Sequence, residues 1–252
     1  MLAFHQKVRI GPTFFSQEGL DSAAKKVRRK MTNLPKKSRA RHIQAALARE
    51  EAAARARVHR IMLDQALQGN GGSKPWQSWK ASQAEEVVEE LVNRSPRMEM
   101  VSIQLEGDLS LIYRIQMPVP LAPQGHLLGF SGVAVFHLTY RENWRWENPP
   151  GWGPLGIFSR RPVWHPNVSL EHRGVICLGA LPPSTRLKEI VLLGYYALTL
   201  QETVLDELDP GGVLNPEACD FYRSHPEYIP LCREGLLEPW KGLQEVERRF
   251  TR

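Results

Sequence analysis

An α+β domain built on an antiparallel sheet is the fold this sequence predicts, on three observations. A capping box, Ser82-Gln83-Ala84-Glu85, opens a helical pattern that puts Val87, Val88, Leu91 and Val92 on one face. Two extended segments follow, residues 98–106 and 109–118, the second alternating Leu109, Leu111, Tyr113, Ile115 and Met117 with Ser110, Arg114 and Gln116. Helical patterns return only after residue 184. The order is helix, meander of strands, helices, rather than the strand–helix alternation of a parallel sheet.

Ahead of this domain the periodicity predicts two basic helices. Residues 19–32 set Leu20, Ala23, Ala24, Val27 and Met31 at helical spacing, with Lys25, Lys26, Arg28, Arg29 and Lys30 between them, and Pro35 breaks the pattern. Residues 38–68 form a longer helix, rich in alanine and arginine, with a weak stripe of Ile43, Leu47, Ala54, Val58 and Ile61. Asn70-Gly71-Gly72-Ser73 ends it, and residues 74–80 read as a linker whose Trp76 and Trp79 dock on a neighbour. Residues 1–80 hold 17 Lys+Arg against 5 Asp+Glu, net +12, whereas residues 81–252 hold 16 against 22, net −6. That asymmetry divides the chain into a basic helical extension, 1–80, and a catalytic-sized domain, 81–252. An arm of that charge suits an acidic protein surface, an acidic membrane surface or nucleic acid, and equally a solvated helix with no partner.

Within the domain, Gly107-Asp108 joins the first two strands as a hairpin. A proline-interrupted loop then leads to a third strand at 132–140 and a short fourth at 156–163. Ser184 or Thr185 caps a nearly buried helix from Arg186 to about Gln201, and Asn215 caps the next, with Pro216 in its first turn.

Composition also excludes some classes. Cysteines 177, 219 and 232 have neither an even count nor metal-ligand spacing, so reduced thiols are expected, with no structural zinc and no cofactor. The longest apolar run, 190–200, is too short to cross a bilayer and contains Gly194. Residues 1–4 are followed by charge rather than a sustained apolar core. A cytoplasmic protein with no membrane span is the expectation.

The chemistry concentrates in residues 164–178, WHPNVSLEHRGVICL. Pro166 fixes its own φ and holds His165 extended, while Asn167 brings an amide able to donate two hydrogen bonds. Gly174 lets the chain turn or approach another backbone. If the turn folds back beside the VICL segment, the Asn167 amide lies near the Cys177 thiol, giving a nucleophile an oxyanion donor. Cys219, beside Ala218, Phe221 and Tyr222, and Cys232, after Ile229-Pro230-Leu231, read as packing residues.

His165, Pro166, Asn167, Gly174, Cys177 and Leu178 resemble the active-site signature of ubiquitin-conjugating enzymes, with the glycine kept three residues before the cysteine. Upstream, residues 139–150 are similar to the family's aromatic and proline-rich link between the third and fourth strands, where Trp144 and Trp146 would be core. Downstream, residues 214–228 are similar to the helix after its crossover. Arginine outnumbers lysine 23 to 10, which points to a bacterial source. The resemblance implies a ubiquitin-conjugating fold: an N-terminal helix, a four-stranded antiparallel meander and C-terminal helices. It implies that Cys177 accepts a ubiquitin-like protein as a thioester from an activating enzyme and passes it to a lysine of a target protein. Asn167 would stabilise the oxyanion and His165 would brace the turn. A deconjugating metalloprotease and a role in antiviral defence belong to the same implied pathway. The alternative is an inactive module of this fold that holds a ubiquitin-like protein. Two departures from the family pattern stand out. The loop between Asn167 and Gly174 is two residues longer, and the family's acidic positions fall on Gly179 and on Gly211-Gly212. Asp206, Glu207 and Asp209, just upstream, are then either the candidates to orient or deprotonate the amine, with Asp209 the site residue chosen, or a solvated acidic loop. His172 reads as a solvent-facing loop residue.

Overall fold

The computed structural model describes residues 36–124, 127–148, 153–172, 174–202, 205 and 213–250. Two compact units divide between Arg57 and Val58. In the first, helix α1 (Lys36–Gln68) begins, and its residues 40–57 are exposed or partly exposed.

The second unit holds the end of α1 and the α+β domain. Helix α2 (Lys74–Glu86) starts at Ser73, whose hydroxyl accepts a hydrogen bond from the Trp76 amide at 3.4 Å, with Pro75 in the first turn. The expected capping box at Ser82 therefore lies mid-helix, and the expected linker at 74–80 is helical. It is also core: Leu63 and Lys80 are fully buried, and Trp76 is 2 % exposed. The indole of Trp76 donates to the Gly107 carbonyl at 3.2 Å and stacks on Trp79, which lies 4.8 Å from Tyr140. The Lys80 ammonium donates to the carbonyls of Gly71, Gly107 and Leu105. A boundary at 80/81 would cut α2 in half. The charge asymmetry marks where basic residues stop, and packing begins about twenty residues earlier. After Glu86 the helix widens into a π-turn (Val87–Val92) that keeps Val87, Val88, Leu91 and Val92 inward.

The sheet is an antiparallel meander in the order β1-β2-β3-β4, as the alternation predicts: β1 (Met98–Gln104), β2 (Leu109–Gln124), β3 (Leu127–Tyr140) and β4 (Leu155–Phe158). The inward row of β2, Leu109 to Met117, is fully buried, and the Tyr113 ring stacks on its register partner Phe136 at 5.1 Å. The proline-interrupted loop is in fact strand. Pro118, Pro120 and Pro123 lie in β2, which keeps pairing with β3 through register shifts at Gln116/Val119 and Leu121/Gln124. Bulges spare a proline the ladder bond it cannot donate. The fourth strand is shorter than expected, because after Phe158 only Val163 bridges back, to Leu121.

Helix α3 (Leu187–Leu198) buries Leu187, Ile190, Val191, Tyr195 and Leu198 in the same core. Its cap differs from expectation: Arg186 is the N-cap, and the Glu189 carboxylate accepts from the Arg186 amide at 3.2 Å. Buried Glu86 ties α2 to this start through Arg186 at 2.6 Å and Lys188 at 2.7 Å. Helix α4 (Pro216–Ser224) is capped by Asn215, which accepts from the Ala218 amide at 3.1 Å. With α5 (Leu243–Phe250) it builds a second cluster around Leu128, Leu200, Tyr222, Tyr228 and Leu231. Among the described residues no helix is long and apolar enough to cross a membrane.

Candidate functional site

The His-Pro-Asn turn is held from three sides. Its approach is anchored by the Trp164 amide on the Pro120 carbonyl at 2.9 Å and by the Tyr222 hydroxyl on the Trp164 carbonyl at 3.2 Å. Inside the turn, Nδ1 of fully buried His165 accepts the Asn167 amide at 3.1 Å, and the His165 carbonyl accepts the Val168 amide at 3.1 Å. An accepting Nδ1 leaves the ring proton on Nε2. Burial pushes this imidazole down to about 3, against an opposing pull from the Ala197 backbone, so it is neutral at physiological pH. On the far side the Pro166 carbonyl accepts two amides, Leu214 at 2.8 Å and Asn215 at 3.0 Å, which docks the cap of α4 on the turn.

From the turn the chain enters a two-stranded ribbon. Val168 bridges Ile176 in antiparallel register, the Cys177 amide donates to the Asn167 carbonyl at 2.8 Å, and the Ser169 amide donates to the Val175 carbonyl at 2.9 Å. Asn167 and Cys177 are therefore directly opposed, and side chains of opposed residues leave an antiparallel ribbon on the same face. Both are nearly buried, at 5 % exposure each. The ribbon is fastened to β4, with the Ile157 amide on the Gly174 carbonyl at 2.8 Å and the Ile176 amide on the Leu155 carbonyl at 3.0 Å. Only glycine fits at 174: its φ is +82°, and a Cβ there would lie 2.4 Å from the Ile157 oxygen.

The Gly174 amide returns to the Ser169 carbonyl at 3.0 Å and closes the ribbon's tip. Ser169 organises that tip: its hydroxyl accepts the His172 amide at 3.0 Å and lies 3.1 Å from the His172 Nδ1. His172 is exposed and Ser169 buried. By the pleat, Ser169 shares its face with Asn167 and Cys177. The Ser-x-x-His spacing in a loop was the signal for this pair, which reading each residue alone passes over.

Other candidates lie elsewhere. Asp209, Asp206, Glu207 and Gly211-Gly212 lie outside the described residues. Gly179 has φ +74° and offers no acid after the cysteine. Cys219 is fully buried with its thiol on the Leu205 carbonyl at 2.9 Å. Cys232 is buried against Tyr195 and the Glu234 carboxylate, and burial pushes its thiol up. Trp144 is core, with the Tyr140 hydroxyl on its carbonyl at 2.7 Å. Trp146 is not: it is 60 % exposed beneath the Arg145 guanidinium, because residues two apart in the 3-10 turn Glu142–Arg145 and its exit face different ways. Among the described residues no group of three or more His, Cys, Asp or Glu is placed to hold a metal ion.

Fold and site together define an α+β domain with a cysteine and an asparagine directly opposed on a short ribbon. Comparison with protein-family models, with curated proteins and with solved structures finds no match for this chain.

Proposed function

We propose that this chain is a divergent ubiquitin-conjugating enzyme that carries a ubiquitin-like protein as a thioester on Cys177. The observation that supports this reading best is the 2.8 Å main-chain bond between Cys177 and Asn167, residues ten positions apart whose side chains leave the ribbon on one face. The chemistry is acyl transfer in two steps. The Cys177 thiolate attacks the carbonyl of the modifier held on the activating enzyme, a new C–S bond forms, and the activating enzyme's cysteine leaves as thiolate. A lysine amine of the target then attacks the same carbonyl, an amide bond forms, and Cys177 leaves as thiolate. In the tetrahedral intermediate the Asn167 amide faces the developing oxyanion. His165, neutral and engaged in the turn, positions Asn167 through the bond to its amide rather than moving protons. Asp209 is the proposed acceptor of the amine's proton, and a deconjugating metalloprotease is the proposed counterpart in the pathway.

A second reading has one observation in its favour. Cys177 is only 5 % exposed, which suits a module that binds a ubiquitin-like protein without bonding to it. One experiment separates the two. Mixed with its activating enzyme, modifier, ATP and magnesium, the chain should form an adduct that disappears on addition of thiol. Cys177→Ala should abolish that adduct, and Cys219→Ala and Cys232→Ala should leave it. An adduct that persists in Cys177→Ala, or none in the parent chain while the modifier still binds, refutes the enzyme reading.

A further inference from the structure

The first 22 residues of α1, 36–57, have a composition that the conjugating chemistry does not use. They hold seven Lys or Arg against two Glu, and eight alanines. They fall within the compact unit that ends at Arg57, apart from the unit that carries Cys177. From this segment we infer a second activity, independent of the proposed conjugation: residues 36–57 bind double-stranded DNA by lying in its major groove.

Two observations carry the choice of partner. The first is the distribution of charge around the helix. At 3.6 residues per turn, Arg41, Arg49, Arg55 and Arg57 fall at roughly 0°, 80°, 320° and 160° around the axis. A flat acidic protein face meets one side of a helix, whereas a groove presents phosphates along both walls. Arg41, Arg49 and Arg57 are exposed, and the ion pair of Arg57 with Glu50 at 3.8 Å joins two exposed side chains and holds the guanidinium weakly. The second is girth. Alanine keeps the rod slim, and a helix with full side chains, roughly 10–12 Å across, already matches a major groove of about 12 Å. Contacts of this kind go to phosphates and fix position without reading sequence. A-form RNA is the wrong partner, because its major groove is too narrow for side chains to enter.

The test uses the full chain and a fluorescent duplex of about 20 bp of arbitrary sequence, followed by anisotropy. Affinity should fall about 10²- to 10³-fold between roughly 50 and 200 mM salt, with a log–log slope between about −3 and −5. Combining Arg41→Gln, Arg49→Gln, Arg55→Gln and Arg57→Gln, which keeps good helix formers, should flatten the slope by about 3. Glu50→Gln with Glu51→Gln should tighten binding, a gain that damage to the helix would not produce. Parent-like binding by the four-arginine variant, no gain in the glutamate variant, or a slope shallower than about −2 overturns the assignment. Displacement of the duplex by polyglutamate at equal charge concentration would give the arm to an acidic protein surface instead, and tighter binding to single strand than to duplex would remove the groove.

Discussion

His165 is the residue whose chemistry is set most completely by its surroundings. Buried and accepting the Asn167 amide, it holds a folded-state value of about 3, whereas an unfolded histidine titrates near 6.5. The folded value lies below the unfolded one, so the unfolded chain takes up the proton first as pH falls. The stability tied to a neutral His165 is complete above about pH 6.5 and is lost progressively down to about pH 3, at about 1.4 kcal/mol per pH unit. Chemical unfolding at pH 7 and pH 5 should thus differ by about 2 kcal/mol, and His165→Gln should remove most of that difference. A parent chain equally stable at both values would show that the ring is hydrated. Asn167 poses a different question, since its main chain holds Cys177 while its side chain is assigned to the oxyanion. Asn167→Ala keeps the 2.8 Å backbone bond to Cys177 and deletes only the amide. Discharge of the thioester to free lysine should slow by about 10²- to 10³-fold, with charging and melting temperature held. Earlier melting, with charging and discharge lost together, would make the asparagine a brace.

Among the elements, α2 governs where the domain begins. A fragment of residues 81–252 starts in the middle of that helix and lacks Leu63, Trp76 and Lys80. Losing a buried leucine costs about 2–5 kcal/mol and a buried tryptophan about 3–5, against a total stability of about 5–15 for a domain. Residues 81–252 should show no cooperative thermal transition, and residues 58–252 should show one; a sharp melt of the shorter fragment would refute this account of the core. The strands were far more legible than this boundary. Alternation of apolar and polar residues is itself the cause of a half-buried strand, so Leu109 to Met117 announced β2 directly. The start of α2 was hidden because Ser82 to Glu85 carries the letters of a cap, while the working cap, Ser73, stands behind two glycines that read as a linker. Nothing local distinguishes the two serines. The choice is made by Trp76, whose indole reaches the Gly107 carbonyl in the turn between β1 and β2, about thirty residues away in sequence.

At the scale of the molecule, the ribbon that pairs Asn167 with Cys177 was legible and the acidic residues proposed to act beside it were not. A His-Pro-Asn turn and a glycine three residues before a cysteine are short-range features, and they carry the pairing of residues 167 and 177 with them. Asp206, Glu207 and Asp209 stand before two adjacent glycines, 211 and 212, which leave the sequence without a periodicity to follow. The ribbon has one more consequence. By taking the Ile157 amide on Gly174 and giving the Ile176 amide to Leu155, it occupies the outer side of β4, the last strand of the sheet, whose Phe158 is 56 % exposed. A terminal strand with free amides and an exposed aromatic is a template for another chain, and here the loop bearing Cys177 is what shields it. Pairing and solubility thus share one strip of backbone: damage that frees the loop bearing Cys177 also uncovers an edge on which molecules can stack, and a local lesion becomes one of self-association.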